Sequence, residues 1–176
     1  EPYPTRANPT HTTAEALRLF EAAEKAAAPE SPVQPDAVTL AGRIRSTRLM
    51  GKITFAHIED GSGRVQLFLR VNDLGEEQMK FFADYFDLGD FIEASGEMFR
   101  TRTGEVTLHV RSFRMLAKAV SPLPAAKDEV VDGQVVRHAT LSDPEMRYRQ
   151  RYADLAVNPE VREIFREWLL RHFPDR

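Results

Sequence analysis

Ile53-Thr54-Phe55-Ala56-His57-Ile58-Glu59-Asp60-Gly61-Ser62-Gly63-Arg64-Val65-Gln66-Leu67-Phe68-Leu69-Arg70 is the stretch on which the fold turns. Two runs of period-two alternation flank Asp60-Gly61-Ser62-Gly63, a composition that makes a tight turn. After the turn, Val65, Leu67 and Leu69 alternate with Arg64, Gln66, Phe68 and Arg70. Before it, Thr54, Ala56 and Ile58 can fill an interior while Ile53, Phe55 and His57 point outward. The stretch therefore reads as an antiparallel hairpin with one apolar face, its strands running from Ile53 to Asp60 and from Arg64 to Arg70.

Working outward, Val38, Leu40 and Ile44 fall on one face of a preceding strand, Arg43 and Arg45 fall on the other, and Gly51 breaks the run. On the far side the spacing predicts a helix from about Leu74 to Phe86. Asp73 and Glu76 form a capping-box-like pair at its start, Phe81, Phe82 and Tyr85 make its buried stripe, and Gly89 closes it. Two more strands follow, Phe91 to Thr101 and Glu105 to Ala117, joined by Thr101-Arg102-Thr103-Gly104; Val106, Leu108 and Val110 face inward. Three strands, a helix and two strands is the element order of the OB-fold, a mainly β, five-stranded Greek-key barrel whose binding surface lies on its second and third strands.

The rest of the chain frames that barrel. All 11 prolines lie at or before Pro35 or at or after Pro122, whereas eight of the 9 glycines lie between Gly42 and Gly104. Proline cannot donate to a sheet ladder and glycine makes tight turns, so the β module spans residues 38–120. An N-terminal extension (1–37) precedes it; a linker (121–143) and a helical segment (144–176) follow. The chain of 176 residues carries no cysteine, which excludes disulfides, thiolate ligands and a cysteine nucleophile and favours an intracellular, cytoplasmic setting. No apolar run approaches the roughly 20 residues of a membrane span, and a start at Glu1 rather than methionine reads as a fragment. The five histidines show no metal-ligand spacing, so no metal is expected. Gly61 and Gly63 lack the Gly-Lys-Ser/Thr of a phosphate loop, and no nucleophile elbow or pocketed acid–base pair is evident, so no catalytic residue is expected either.

The formal charge of -3 argues mildly against a polyanion partner, but it averages unlike segments. Arg43, Arg45, Arg48 and Lys52 occur with no acid between them, and Arg100, Arg102, Arg111, Arg114 and Lys118 with only Glu105. The acids gather between these groups, from Asp73 to Glu97, so one side of the module can be basic. The outward set of the hairpin then has a chemical meaning. Phe55 and Phe68 among His57, Arg64 and Gln66 suit single-stranded nucleic acid: a ring stacks a base, an amide reads its edge and cations follow the phosphates. Covering a flank of the barrel is the alternative use of those rings; His57 and His109 belong with the polar outer face.

Ala41-Gly42-Arg43-Ile44-Arg45, Arg48-Leu49-Met50-Gly51-Lys52, Asp60-Gly61-Ser62-Gly63-Arg64-Val65-Gln66-Leu67 and Asp87-Leu88-Gly89-Asp90, with Glu145-Met146-Arg147-Tyr148-Arg149-Gln150-Arg151-Tyr152-Ala153-Asp154-Leu155, form a recognisable signature. Together they resemble the N-terminal anticodon-binding domain of bacterial class II lysyl-tRNA synthetases, from Tyr3 to about Arg166. The resemblance implies that the central anticodon uridine stacks on Phe55 and is read by Gln66, with Arg48 and Glu105 completing the pocket. Arg43, Arg45, Lys52, His57, Arg64, Phe68 and Arg102 would be supporting contacts. It further implies the anticodon loop of lysine tRNA as partner, a homodimer in the longer enzyme, and ATP with Mg2+ for its ligase reaction, with no cofactor in these residues. On the same resemblance residues 144–176 would be the truncated start of the class II catalytic domain: Val161 to Arg166 is similar to the start of the dimer-interface helix, from Glu167 the pattern departs, and ATP-binding motifs two and three do not occur. A truncated or lysyl-transfer paralogue using the barrel for other RNA or for protein contacts is the competing reading.

Overall fold

A computed structural model describes residues 3–26, 37–120, 127–131, 134–138, 141 and 143–173. The chain divides into two compact units, Glu1–Val120 and Ser121–Arg176.

The first unit opens with α1 (Thr13–Ala26). Thr12 and Glu15 cap it reciprocally: the Thr12 amide donates to the Glu15 carboxylate at 2.9 Å, and the Glu15 amide donates to Thr12 Oγ1 at 3.4 Å. The helix start is tied to the sheet as well, because the Thr13 amide donates to Asp60 Oδ2 at 2.7 Å and the Ala14 amide to Ser62 Oγ at 3.0 Å. The turn that makes the central hairpin therefore also satisfies amides at a helix N-terminus that the helix itself cannot. Ala16 and Phe20 carry α1 into the barrel core.

β1 (Val38–Met50), β2 (Ile53–Glu59), β3 (Arg64–Arg70), β4 (Phe91–Arg100) and β5 (Val106–Ala117) close into a ring in the order β1-β2-β3-β5-β4. All pairings are antiparallel except β3 with β5. The five-stranded OB barrel expected from the element order is thus formed, and Leu40, Ile44, Ala56, Ile58, Leu67, Leu69, Ile92, Leu108 and Val110 fill it. Closure needs close backbone approach at Gly96: a Cβ there would lie 1.9 Å from the His109 carbonyl oxygen, where the β4–β5 register shifts.

The β3–β4 connection departs from expectation. α2 (Val71–Leu74) precedes α3 (Glu76–Tyr85), and Gly75, at φ 83°, separates them. Asp73 sits inside α2 instead of capping the longer helix, because its carboxylate is taken by Arg70, His109 and Arg111. The buried stripe is also corrected. Met79, Phe82 and Phe86 enter the core, whereas Phe81 is 39% and Tyr85 58% exposed. At 100° per residue Met79 and Phe82 share one side of the helix with Phe86 just past its end, and Phe81 lies more than a third of a turn, roughly 130°, from the middle of that stripe.

A buried carboxylate closes the unit. Asp90 accepts from the amides of Asp87 (2.8 Å) and Ala119 (2.7 Å) and from Lys118 Nζ (2.8 Å). Burial pushes its carboxyl up, but these donors outweigh burial and hold it below the usual range.

In the second unit, β6 (Lys127–Val131) and β7 (Gln134–His138) form a hairpin within the segment expected to be a linker. α4 (Pro144–Arg149), α5 (Arg151–Val157) and α6 (Pro159–His172) follow. Leu141, Ala153 and Val157 make a small core, and buried Asp154 gathers Arg147, Arg151 and Asn158. No described helix is long and apolar enough to cross a membrane.

Candidate nucleic-acid interface

The outer face of β1, β2, β3 and β5 carries two registered rows. Arg48 pairs with Phe55, Phe55 with Phe68 and Phe68 with His109; in the adjacent row Ser46 pairs with His57, His57 with Gln66 and Gln66 with Thr107. Residues so paired stand roughly 5 Å apart on one face, so four strands deliver an aromatic row beside a polar one.

Arg48 reaches this face through a bulge. Alternation from Val38, Leu40 and Ile44 would send residues 46 and 48 inward, but the register shifts between Ile44 and Ser46. Arg45 is the extra residue, and beyond it the parity of the strand is reversed, so Ser46 and Arg48 share the face of His57 and Phe55.

In the aromatic row the Phe55 and Phe68 ring centroids are 5.2 Å apart; Phe68 also meets Phe99 at 5.8 Å and His109 at 5.3 Å. Phe55 and Phe68 are half-buried, with part of each ring left to solvent. The phenylalanines are thus shared between packing and surface, and the cluster holds Phe55 in a fixed orientation.

The polar row is hydrogen-bonded end to end. Arg64 donates to Ser46 Oγ at 3.3 Å, and Ser46 Oγ meets His57 Nδ1 at 2.9 Å. His57 Nε2 meets Glu105 Oε1 at 3.0 Å, Gln66 Nε2 donates to Glu105 Oε2 at 2.8 Å, and Thr107 Oγ1 donates to Gln66 Oε1 at 3.0 Å. One amide N–H and one carbonyl lone pair of Gln66 remain for an outside group. Glu105 is exposed and sits on the β4–β5 turn, where Gly104 has φ 91°.

The expected cations are divided by the fold. Arg48 and Lys52 at the β1–β2 turn and Arg102 at the β4–β5 turn are exposed and make no ion pair among the described residues. Arg45 is taken bidentately by Glu59 at 3.0 and 3.1 Å. Arg43 donates to the Gly89 carbonyl at 3.1 Å and lies 4.3 Å over the Phe91 ring, on the β4 side of the barrel. Arg100, Arg111, Arg114 and Lys118 are bound by Glu24, Glu97, Glu93 and Asp87 respectively.

Ser46, Phe99 and Thr107 join the face without having been singled out from sequence. Alternation about Met98 could have exposed Phe99; Ser46 needed the bulge, and Thr107 needed the β3–β5 pairing, which joins residues 41 apart.

The OB-fold nucleic acid binding domain family of the tRNA anticodon type matches residues 38–116. Lysine–tRNA ligase of Pelotomaculum thermopropionicum is 44% identical over 165 residues, 94% of this chain and 28% of that protein. The lysine–tRNA ligases of Chloroflexus aurantiacus (45% over 167 residues; 94% and 30%) and Aquifex aeolicus (47% over 128 residues; 73% and 20%) are similarly related. The chain spans less than a third of the length of these relatives.

Proposed function

The chain belongs to the lysine–tRNA ligase family, with residues 38–116 as its anticodon-binding OB-fold domain, and from that premise we propose that the outer face binds the anticodon loop of lysine tRNA. The observation that carries the reading is the juxtaposition of Phe55, flanked by exposed Arg48, with the Gln66–Glu105 pair one row away. The central uridine stacks on Phe55. Gln66 and Arg48 pair with its edge, and Glu105 accepts from the base or from Gln66. Lys52 and Arg102 attract phosphates without reading sequence.

Arg43 and Arg45 support the fold more than the RNA, since both are engaged within the chain. His57, Arg64 and Phe68 act by holding neighbours in place.

Attachment of lysine to tRNA, with the ATP and Mg2+ it uses, belongs on this reading to the longer protein, as do dimerisation and a cytoplasmic place in translation. Among the described residues no group of His, Asp and Glu could hold a metal ion, and no chemical step is assigned to them.

Phe55→Ala tests the face. Affinity for a lysine-tRNA anticodon stem-loop, measured by fluorescence anisotropy, falls by about 1–3 kcal/mol. Melting temperature falls less than for a phenylalanine of the barrel core, because part of the ring already faces solvent. Unchanged affinity with a large drop in melting temperature would assign Phe55 to the core and remove the site. Equal affinity for all four bases at the central position would remove the readout.

A further inference from the structure

Glu105 is where the hydrogen bonds of the outer face converge. A carboxylate has no hydrogen to give, so both neighbours must donate: His57 through Nε2–H to Oε1, Gln66 through its amide nitrogen to Oε2. Those assignments propagate. With the proton on Nε2, Nδ1 of a neutral imidazole accepts, so the Ser46 hydroxyl donates to it and itself accepts from Arg64. On the other side, the Gln66 carbonyl receives the hydroxyl of Thr107. With Nδ1 accepting, the side-chain hydrogens of the row run toward one carboxylate; the Glu105 main-chain carbonyl, 3.3 Å from Thr107 Oγ1, offers that hydroxyl a second acceptor.

We propose that His57 is a positioning residue that determines specificity. With Ser46 behind it, it fixes the Glu105 carboxylate at the edge of the base site, and through Glu105 it fixes which end of the Gln66 amide donates. The proposal rests on the anticodon reading above.

The chemical reason lies in the two pyrimidines. Uridine offers an acceptor at O4 and a donor at N3; cytidine offers a donor at N4 and an acceptor at N3 in the same places. An amide free to exchange its ends complements both. An amide held by an acceptor on one side and a donor on the other complements one. Glu105 is exposed, on a long side chain at a turn, and His57 and Gln66 are its side-chain partners. Without the imidazole it can swing away, after which Thr107 can accept as readily as donate and Gln66 can flip. His57 itself is not a free RNA contact, because both ring nitrogens are occupied within the protein.

The test uses the full 176-residue chain and two anticodon stem-loops that differ only in uridine or cytidine at the central position. In His57→Ala the ratio of the two affinities falls about tenfold, chiefly because the cytidine RNA binds better. His57→Gln, whose amide nitrogen can stand where Nε2 stood, restores the ratio. Ser46→Ala keeps the imidazole but loosens it, and lowers the ratio less; it serves also if the histidine variants fold poorly. An unchanged ratio in His57→Ala, or an equal loss for both RNAs, overturns the proposal. Phe55→Ala is run alongside. If it weakens both RNAs while His57→Ala leaves the ratio intact, only the positioning role fails. If it weakens neither, the anticodon reading fails and this proposal with it.

Discussion

Asp73 shows how one carboxylate can shape a neighbourhood. It accepts from Arg70 at 2.6 and 3.1 Å, from His109 Nε2 at 2.9 Å and from Arg111 at 2.6 Å. The Arg70 hydrogen bonds first, and then the one from His109, hold its carboxyl far below the ordinary range. Two surface arginines beside Phe68 are thereby engaged within the chain, and His109 is locked against that ring. A folded-state pKa below the unfolded one means that the charged form stabilises the protein at neutral pH, and that the contribution fades as pH falls below about 4. Asp73→Asn costs about 1–2 kcal/mol at pH 7, toward the low end because Arg70 and Arg111 keep much of their water. Thermal melts of both proteins from pH 7 to 3 check this. The gap narrows with acid, and a constant gap would mean that the charge is irrelevant.

At the scale of elements, α3 and β1 show where simple periodicity holds and where it fails. The aromatic pattern of α3 marks a helix, but a 3.6-residue repeat does not say which of two adjacent phenylalanines meets the core. The packing of Phe82 against Phe86 at 5.0 Å and Phe113 at 5.6 Å settles it. Phe82→Ala therefore destabilises the barrel by about 3–5 kcal/mol in urea titration. Phe81→Ala costs less than about 1 kcal/mol, since its ring is already 39% exposed. Equal losses would restore the stripe expected from sequence. In β1 the comparable event is the bulge at Arg45. Strand identity was legible from the alternation of Val38, Leu40 and Ile44. The face presented by Ser46 and Arg48 was not, because one extra residue inverts everything after it.

Over the whole molecule, a net charge of -3 proves to be the wrong quantity for judging an RNA partner. Most cations of the barrel's basic stretches end in intramolecular pairs, and the exposed ones at the candidate site that make no ion pair among the described residues stand at two turns, Arg48 and Lys52 on one and Arg102 on the other. Three phosphate contacts to a single strand give a slope of about -2 for log affinity against log salt. Lys52→Ala or Arg102→Ala flattens it by roughly 0.7 and weakens every RNA alike. A changed base preference in either variant would make that cation a reader rather than an attractor. What the sequence by itself determined is the barrel and its hairpin, because alternation, turn glycines and element order are local and survive without knowing any partner strand. Phe55 and Gln66 were nameable from the alternation of the hairpin and their chemistry, whereas Glu105 was nameable only because the family resemblance pointed to it. Only the tertiary structure decided that Gln66, Thr107, His57 and Glu105 form one directed network. It alone also decided that Arg43 and Arg45 are consumed by the fold while Arg48 is turned outward. Hydrogen-bond polarity and ion pairing depend on which atoms meet across strands, and barrel closure brings together residues about 40 to 50 positions apart that no local pattern relates.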